Sequence, residues 1–206
     1  SLLSVGLVWG VGRLSRGKQV LGLILAGIMV SSLFQAGTSY IKLVADPSNQ
    51  LPAITYWLMG SLSGARMADV GFALLMMAAG ALPLLLLRWK LNVLTLGDEE
   101  ARTMGVNVGL VRLIVILAAT LLTASAVAVS GTIGWVGLVV PHLARRLTGN
   151  DYRRLMPASF LGGALFLLLV DDLSRNLLAT EIPLGILTAF VGAPFFLWLI
   201  LRRRDA

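Results

Sequence analysis

From Leu113 to Ala144 the chain runs for 32 residues without an Asp, Glu, Lys or Arg. Four more uncharged runs cover 19–41, 70–87, 155–170 and 182–201. A helix needs about 20 apolar residues to cross the hydrocarbon core of a bilayer, and it satisfies its own backbone hydrogen bonds there. These runs therefore predict an all-α, polytopic transmembrane bundle. The strict alternation of an outer-membrane barrel is missing. Composition agrees: 57% of the residues are hydrophobic and 13% are charged, against about 25% charged in a soluble domain. A soluble fold of 206 residues keeps too much surface to hide that much apolar matter.

The cations give the topology. Of 17 Lys and Arg residues, 14 fall in four clusters: Arg13, Arg16 and Lys18; Arg88, Lys90, Arg102 and Arg112; Arg145, Arg146, Arg153 and Arg154; and Arg202, Arg203 and Arg204. The net charge of +7 is thus gathered between apolar runs, as the positive-inside rule demands, and does not call for nucleic acid. Clusters on one side must be separated by even numbers of crossings. As one helix, 113–144 would span about 48 Å, so it splits at Ser130-Gly131-Thr132-Ile133-Gly134 into a full crossing, 113–130, and a short one, 131–144. With 19–41, 67–87, 155–175 and 182–201 this makes six crossings, and the C-terminus is cytoplasmic. The apolar Ser1–Gly12 reads as the tail of a seventh, so the chain is expected to begin inside a longer protein. All of 1–206 reads as one membrane domain.

Two segments stand outside the crossings. The outer one, 43–66, holds Asp46, Pro47, Asn49, Pro52 and Gly60 and reads as a loop with a short interfacial helix, where Tyr56 and Trp57 sit at headgroup depth. The cytoplasmic one, 88–112, mixes apolar and charged residues. It reads either as two short amphipathic helices broken at Gly97 and Gly105, suited to docking a partner, or as a solvated loop.

The sequence offers little chemistry. There are no cysteines, hence no thiolate metal site and no disulfide. His142 is the single histidine and reads as a packed, hydrogen-bonded residue after Pro141. No catalytic or metal site and no cofactor is expected. A phosphate-binding Gly-x-x-x-x-Gly-Lys-Ser/Thr run is absent, so ATP is not expected to bind this chain. Coupling to protons or sodium usually uses acidic groups near the midplane, and the deep parts of the crossings contain none. Arg175 lies four residues after Asp171, so the two can pair on one helix face. Ser31, Gln35, Thr38 and Ser39 recur at roughly helical spacing and either face a water-filled pathway or bond to neighbouring helices. Gly131, Gly134, Gly137, Gly162, Gly163, Gly185 and Gly192 fit close helix packing.

Five dispersed motifs carry a resemblance: Trp57-Leu58-Met59-Gly60-Ser61; Leu-Gly-x-x-x-Ala-x-x-x-Gly-Val from Leu96; Gly131 to His142; the helix end Asp171 to Arg175; and Pro183-Leu184-Gly185 with Gly192-Ala193-Pro194. Over its whole length the sequence resembles the FecCD family, permeases of binding-protein-dependent ABC importers for iron-siderophores and vitamin B12. The resemblance implies a type II, vitamin B12 importer-like permease that lacks the family's first helices. It implies that Leu96, Gly97, Glu100, Ala101 and Gly105 contact an ATPase subunit, and that Arg175 and Arg66 meet an extracytoplasmic binding protein. It assigns Ser31, Gln35 and Thr38 to the pathway, and Gly131, Gly134, Pro141, His142 and Pro194 to structural roles. The implied partners are an ATP-binding subunit dimer, a second permease copy or paralogue, the binding protein and the lipid bilayer of the inner membrane. The implied cargo is an iron(III)-siderophore, with vitamin B12, haem or molybdate as alternatives. A secondary transporter or a membrane-embedded enzyme are the readings from other classes.

Overall fold

The computed structural model describes residues 2–14, 19–178 and 180–202. Among them the chain is helical throughout, with no strand: α1 Leu2–Leu14, α2 Gln19–Val44, α3 Gln50–Met59, α4 Met67–Leu94, α5 Asp98–Thr103, α6 Val108–Ser130, α7 Val136–Thr148, α8 Tyr152–Asn176 and α9 Leu184–Arg202. It divides into two compact units, Ser1–Thr55 and Tyr56–Ala206. In the first, α1 and α2 pack on each other. In the second, α4 packs chiefly on α6, α7 on α8, and both α7 and α8 on α9.

Among the described residues, four helices are long and apolar enough to cross a membrane: Leu21–Val44, Met67–Leu94, Val108–Ser130 and Tyr152–Asn176. The other two expected crossings are the short helices. The 13 residues of α7 span about 20 Å, and the 19 of α9 about 28 Å. The expected crossing 131–144 is corrected in detail: residues 131–135 are non-helical and the helix runs on to Thr148. The 32-residue run does break where expected, since α6 ends at Ser130 and Gly131 takes φ 66°, ψ −158°.

Packing in the second unit is that of a membrane protein. Its helices meet through small residues and turn large ones outward. Ala73 and Gly80 of α4 and Ala118 of α6 are buried. A Cβ on Gly80 would stand 2.9 Å from Leu122 Cγ and 3.0 Å from the Ala118 carbonyl oxygen. Leu74, Leu75, Leu82 and Leu86 of α4 are exposed. In hydrocarbon, a leucine gains little by leaving the lipid, so close backbone contact drives association.

The outer segment holds its expected short helix, α3. The segment expected on the cytoplasmic side departs from expectation. α4 continues past Arg88 and Lys90 to Leu94, and α6 starts at Val108, so only 95–107 of the expected 88–112 lies outside these helices. Instead of two helices broken at the glycines, one helix, α5, lies between them. Gly97 is its N-cap at φ 129°, and Gly105 turns at φ 78° just beyond its end.

Candidate functional site

The second unit has two chemically different ends. At one, hydrogen bonds tie the foot of α4 to the α7–α8 turn. Asn92 Nδ2 donates to Asp151 Oδ1 at 2.6 Å. Asn92 Oδ1 accepts from the Tyr152 N–H at 2.9 Å. Asp151 is the N-cap of α8 and also accepts from the Arg153 N–H at 2.9 Å, the normal device for satisfying an orphan helix donor. That backbone bond, then the Asn92 bond, hold the Asp151 carboxyl below its ordinary value of 3.8. α9 reaches the same end: Arg146 lies 5.1 Å over the Trp198 ring, and His142 meets Phe195 edge-on at 6.1 Å. The second and third arginine clusters and the foot of α9 therefore share one end of the bundle, the arrangement that even crossing numbers require. Arg16, Lys18, Arg203 and Arg204 lie outside the described residues.

The 95–107 segment at this arginine-rich end is firmly built. Ala101 of α5 is 0% exposed, in a cluster with Val93, Val106, Val108 and Val111. Its N–H donates to the Gly97 carbonyl at 3.1 Å, and its own carbonyl accepts from Val106 at 3.0 Å. Asn107 caps α6, accepting from the Leu110 N–H at 3.1 Å. A Cβ on Gly97 would collide with the Glu100 carboxylate, so the carboxylate folds back over a position that also needs a positive φ. Arg112 pairs with Asp98 at 3.0 Å; both are exposed, and such pairs contribute little. Of the five residues expected to contact an ATPase, Ala101 faces inward. Leu96, 62% exposed, and Glu100 face out, joined by Met104, 51% exposed.

The opposite end is a crossing of backbones. The Leu184 N–H donates to the Gly60 carbonyl at 2.8 Å, and the Ser61 N–H to the Ser130 carbonyl at 2.9 Å. Side chains are excluded by contact: a Cβ on Gly131 would strike the Trp57 carbonyl oxygen, and one on Gly185 that of Met59. On Gly60 it would lie 2.8 Å from the Thr132 carbonyl oxygen. At Gly134 a Cβ would meet nothing within 4 Å, so close packing inside this chain is not what that position requires; Gly137 and Gly163 are alike in this. Beside the crossing lies an open cavity of about 630 Å³ lined by Met59, Thr132, Gly134, Trp135, Ile186 and Phe190, among others.

Sequence reasoning gave no role to Trp135. It is the only non-glycine residue with positive φ (67°) among the described residues. Its carbonyl accepts from both Leu138 and Val139 at 2.9 Å, starting α7. A Cβ on Gly192 would stand 2.5 Å from Trp135 Cβ, and the indole meets Phe196 edge-on at 6.4 Å. The flanking Gly134 and the paired Gly192 were the only signals for it.

Arg175, in the last turn of α8, is paired: its Nε lies 2.9 Å from Asp171 and its Nη1 4.0 Å from Glu181. It remains 45% exposed and sits at the glycine-crossing end, where Ser174 Oγ also donates to the Ile182 carbonyl. Arg66 is exposed, and its backbone N–H is capped by Asp69 Oδ2 at 3.1 Å. In the first unit, Ser31 and Gln35 are exposed and Thr38 is half-buried. Their positions on α2 lie opposite the buried Ala26 and Val30, and Thr38 Oγ1 donates to the Phe34 carbonyl at 2.9 Å. Among the described residues no His, Cys, Asp and Glu group suited to a metal ion exists.

A bundle of apolar helices with small-residue packing, arginines gathered at one end and glycine-crossed backbones at the other, is a multi-pass membrane protein. Residues 1–202 match the FecCD transport family, and the chain belongs to that family. It is 42% identical over 188 residues to the "Probable iron chelatin transport system permease protein" of Helicobacter pylori, covering 91% of this chain and 57% of that protein. It is 44% identical over 198 residues to the hemin transport system permease protein HmuU of Yersinia pestis, covering 96% and 57%. A solved metal-chelate type ABC transporter in an inward-facing conformation superposes with TM-score 0.88 at 40% identity, over 96% of this chain and 63% of that one. The chain thus spans somewhat more than half the length of these relatives.

Proposed function

We propose that the chain is part of the permease of a binding-protein-dependent ABC importer of the inner membrane, with its arginine-rich end, including the C-terminus, in the cytoplasm. The observation that carries this is the build of α5. A six-residue helix is too short to persist alone; here a buried alanine and two positive-φ glycines fix it onto the feet of α4 and α6. A contact that transmits motion must be stiff, because force applied to a loose loop is lost in the loop. Leu96, Glu100 and Met104 are the exposed face that an ATP-binding subunit would grip, with Gly97, Ala101 and Gly105 holding that face in place. ATP hydrolysis belongs to that subunit, present as a dimer beneath two permease copies. At the outer end, Arg175 and Arg66 are the cations offered to an extracytoplasmic binding protein, with Asp171 pre-orienting Arg175. Ser31, Gln35 and Thr38 face the pathway.

The cargo is an iron(III)-siderophore or a similar metal chelate, in line with relatives named for iron chelatin, hemin and molybdate. The test is uptake into proteoliposomes holding the intact permease, the ATPase encoded with it and its binding protein. ATP-dependent entry of a radioactive ferric siderophore, unaffected by an ionophore, is expected. Entry driven by an ion gradient without ATP would refute the importer class; ATP-driven entry of cobalamin, haem or molybdate alone would move the cargo.

A further inference from the structure

At the arginine-rich end, a groove of about 320 Å³ opens between α4, α7 and α8. That is at the small end of ligand pockets, which run from about 300 to 1,000 Å³. All three helices line it, α8 most of all. α8 contributes Tyr152, Leu155, Met156, Ser159 and Phe160; α7 contributes Pro141 and Arg145; α4 contributes Leu84, with Arg88 one turn further along the same face. The one charged group of the lining lies at its surface end, and the single hydroxyl of Ser159 is the only polar group deeper in. Arg145 and Tyr152 lie toward the helix ends that carry the arginine clusters, while Leu84, Pro141, Met156 and Phe160 lie deeper in the span. Arg145 is exposed, and among the described residues no carboxylate lies within 4.0 Å of it. The nearby acid, Asp151, is already engaged by Asn92 and the Arg153 N–H. Arg146 is turned to Trp198.

We propose that this groove is a binding site for one anionic phospholipid, with the headgroup phosphate on Arg145 and an acyl chain lying along Leu84, Met156 and Phe160. The occupant follows from complementarity in two dimensions. An unneutralised guanidinium at the membrane surface takes a phosphodiester, and basic pockets between transmembrane helices at that depth select anionic headgroups. The apolar floor below it matches a hydrocarbon chain, which a soluble phosphate lacks. The site stands apart from the transport reading: it needs the helices to cross a bilayer and this face to meet lipid in the intact permease. It adjoins the Asn92–Asp151 tie, so a lipid seated there would brace the joint between α4 and the α7–α8 turn.

The test is native mass spectrometry of the intact permease in detergent, titrated with palmitoyl-oleoyl phosphatidylglycerol or with the phosphatidylcholine of the same chains. The first phosphatidylglycerol is expected to bind about fivefold more tightly than phosphatidylcholine, the selectivity of one basic side chain near the surface. Arg145→Gln should remove that preference, and Lys90→Gln, which deletes one positive charge at the same end of the bundle but on α4 and outside the groove lining, should keep it. Glycerol 3-phosphate should not compete. Ser159→Leu narrows the groove without touching charge and should weaken both lipids, by about fourfold for each lipid methylene displaced. It also stands in if Arg145→Gln fails to fold. The proposal is overturned by a preference that survives Arg145→Gln, by one that falls equally in Lys90→Gln, by displacement with glycerol 3-phosphate, or by unchanged binding to Ser159→Leu.

Discussion

Gly131 and Gly134 stand three residues apart in one loop and look interchangeable in sequence, yet the structure predicts opposite consequences of replacing them with alanine. Gly131 sits at φ 66°, ψ −158°, a region essentially reserved for glycine, where another residue costs about 1–3 kcal/mol. Its new Cβ would also strike the Trp57 carbonyl oxygen. That oxygen accepts from the Gly60 N–H at 3.1 Å, so it cannot swing away without breaking the turn that ends α3 and sets Gly60 in the crossing. Overpacking of this kind costs a further ~1–3 kcal/mol. Taken near the middle of the range, about 4 kcal/mol corresponds to a drop of roughly 8–16 °C in melting temperature for a chain of this size. Gly134→Ala meets nothing within 4 Å and has no positive φ to violate. It should be neutral or stabilise by about 0.4–1 kcal/mol through the unfolded chain, at most roughly 4 °C. Both variants can be followed by tryptophan fluorescence during a thermal ramp of the intact protein in detergent. Equal shifts, or a Gly131→Ala protein that melts with the wild type, would mean that the Gly131 backbone is not held against Trp57 as described.

Three further outcomes are expected. Asn92→Ala removes both side-chain bonds to the α7–α8 turn and should cost about 1–3 kcal/mol, with faster amide exchange at Arg153 and Tyr152 by mass spectrometry; unchanged exchange would show the tie to be idle. Because the folded chain favours the charged Asp151, its contribution is complete above the ordinary carboxyl value of 3.8 and is lost as pH falls through the lower folded value. An Asp151→Asn protein should therefore lose the part of the acid sensitivity that wild type shows below about pH 4, read as melting temperature between pH 2.5 and 6. Ala101→Leu, forced into a site with no exposure, should cost ~1–3 kcal/mol and loosen α5, while Glu99→Leu on the exposed side should change stability by less than ~0.5 kcal/mol.

What the sequence made legible was what depends on composition along the chain. The uncharged runs located the spanning helices, and Ser130-Gly131 located the break, since both follow from local rules. Their ends were misjudged wherever charge was taken as the boundary. α4 carries Arg88 and Lys90 on its last turns and continues to Leu94, because long basic side chains can reach the interface while the helix goes on. The residues that organise the ends were not legible. Asn92 and Asp151 are 59 positions apart, and nothing local joins them. The inward turn of Ala101 escaped because six residues are too few to show a period. The glycines looked alike because sequence does not say which backbone approaches which, and Trp135 was hidden because a positive φ at a bulky residue is set by its neighbours.

On the proposed reading, α5 presents its outer face to an ATP-driven partner. The chain has no cysteine, so one can be placed at Met104, which is exposed, in the intact permease and paired with single cysteines along the Q-loop of the ATPase encoded with it. A disulfide is expected at a restricted set of positions, with a yield that changes when ATP is bound. Absence of any crosslink, with both proteins folded together in the membrane, would contradict that reading and leave 95–107 a connector between α4 and α6.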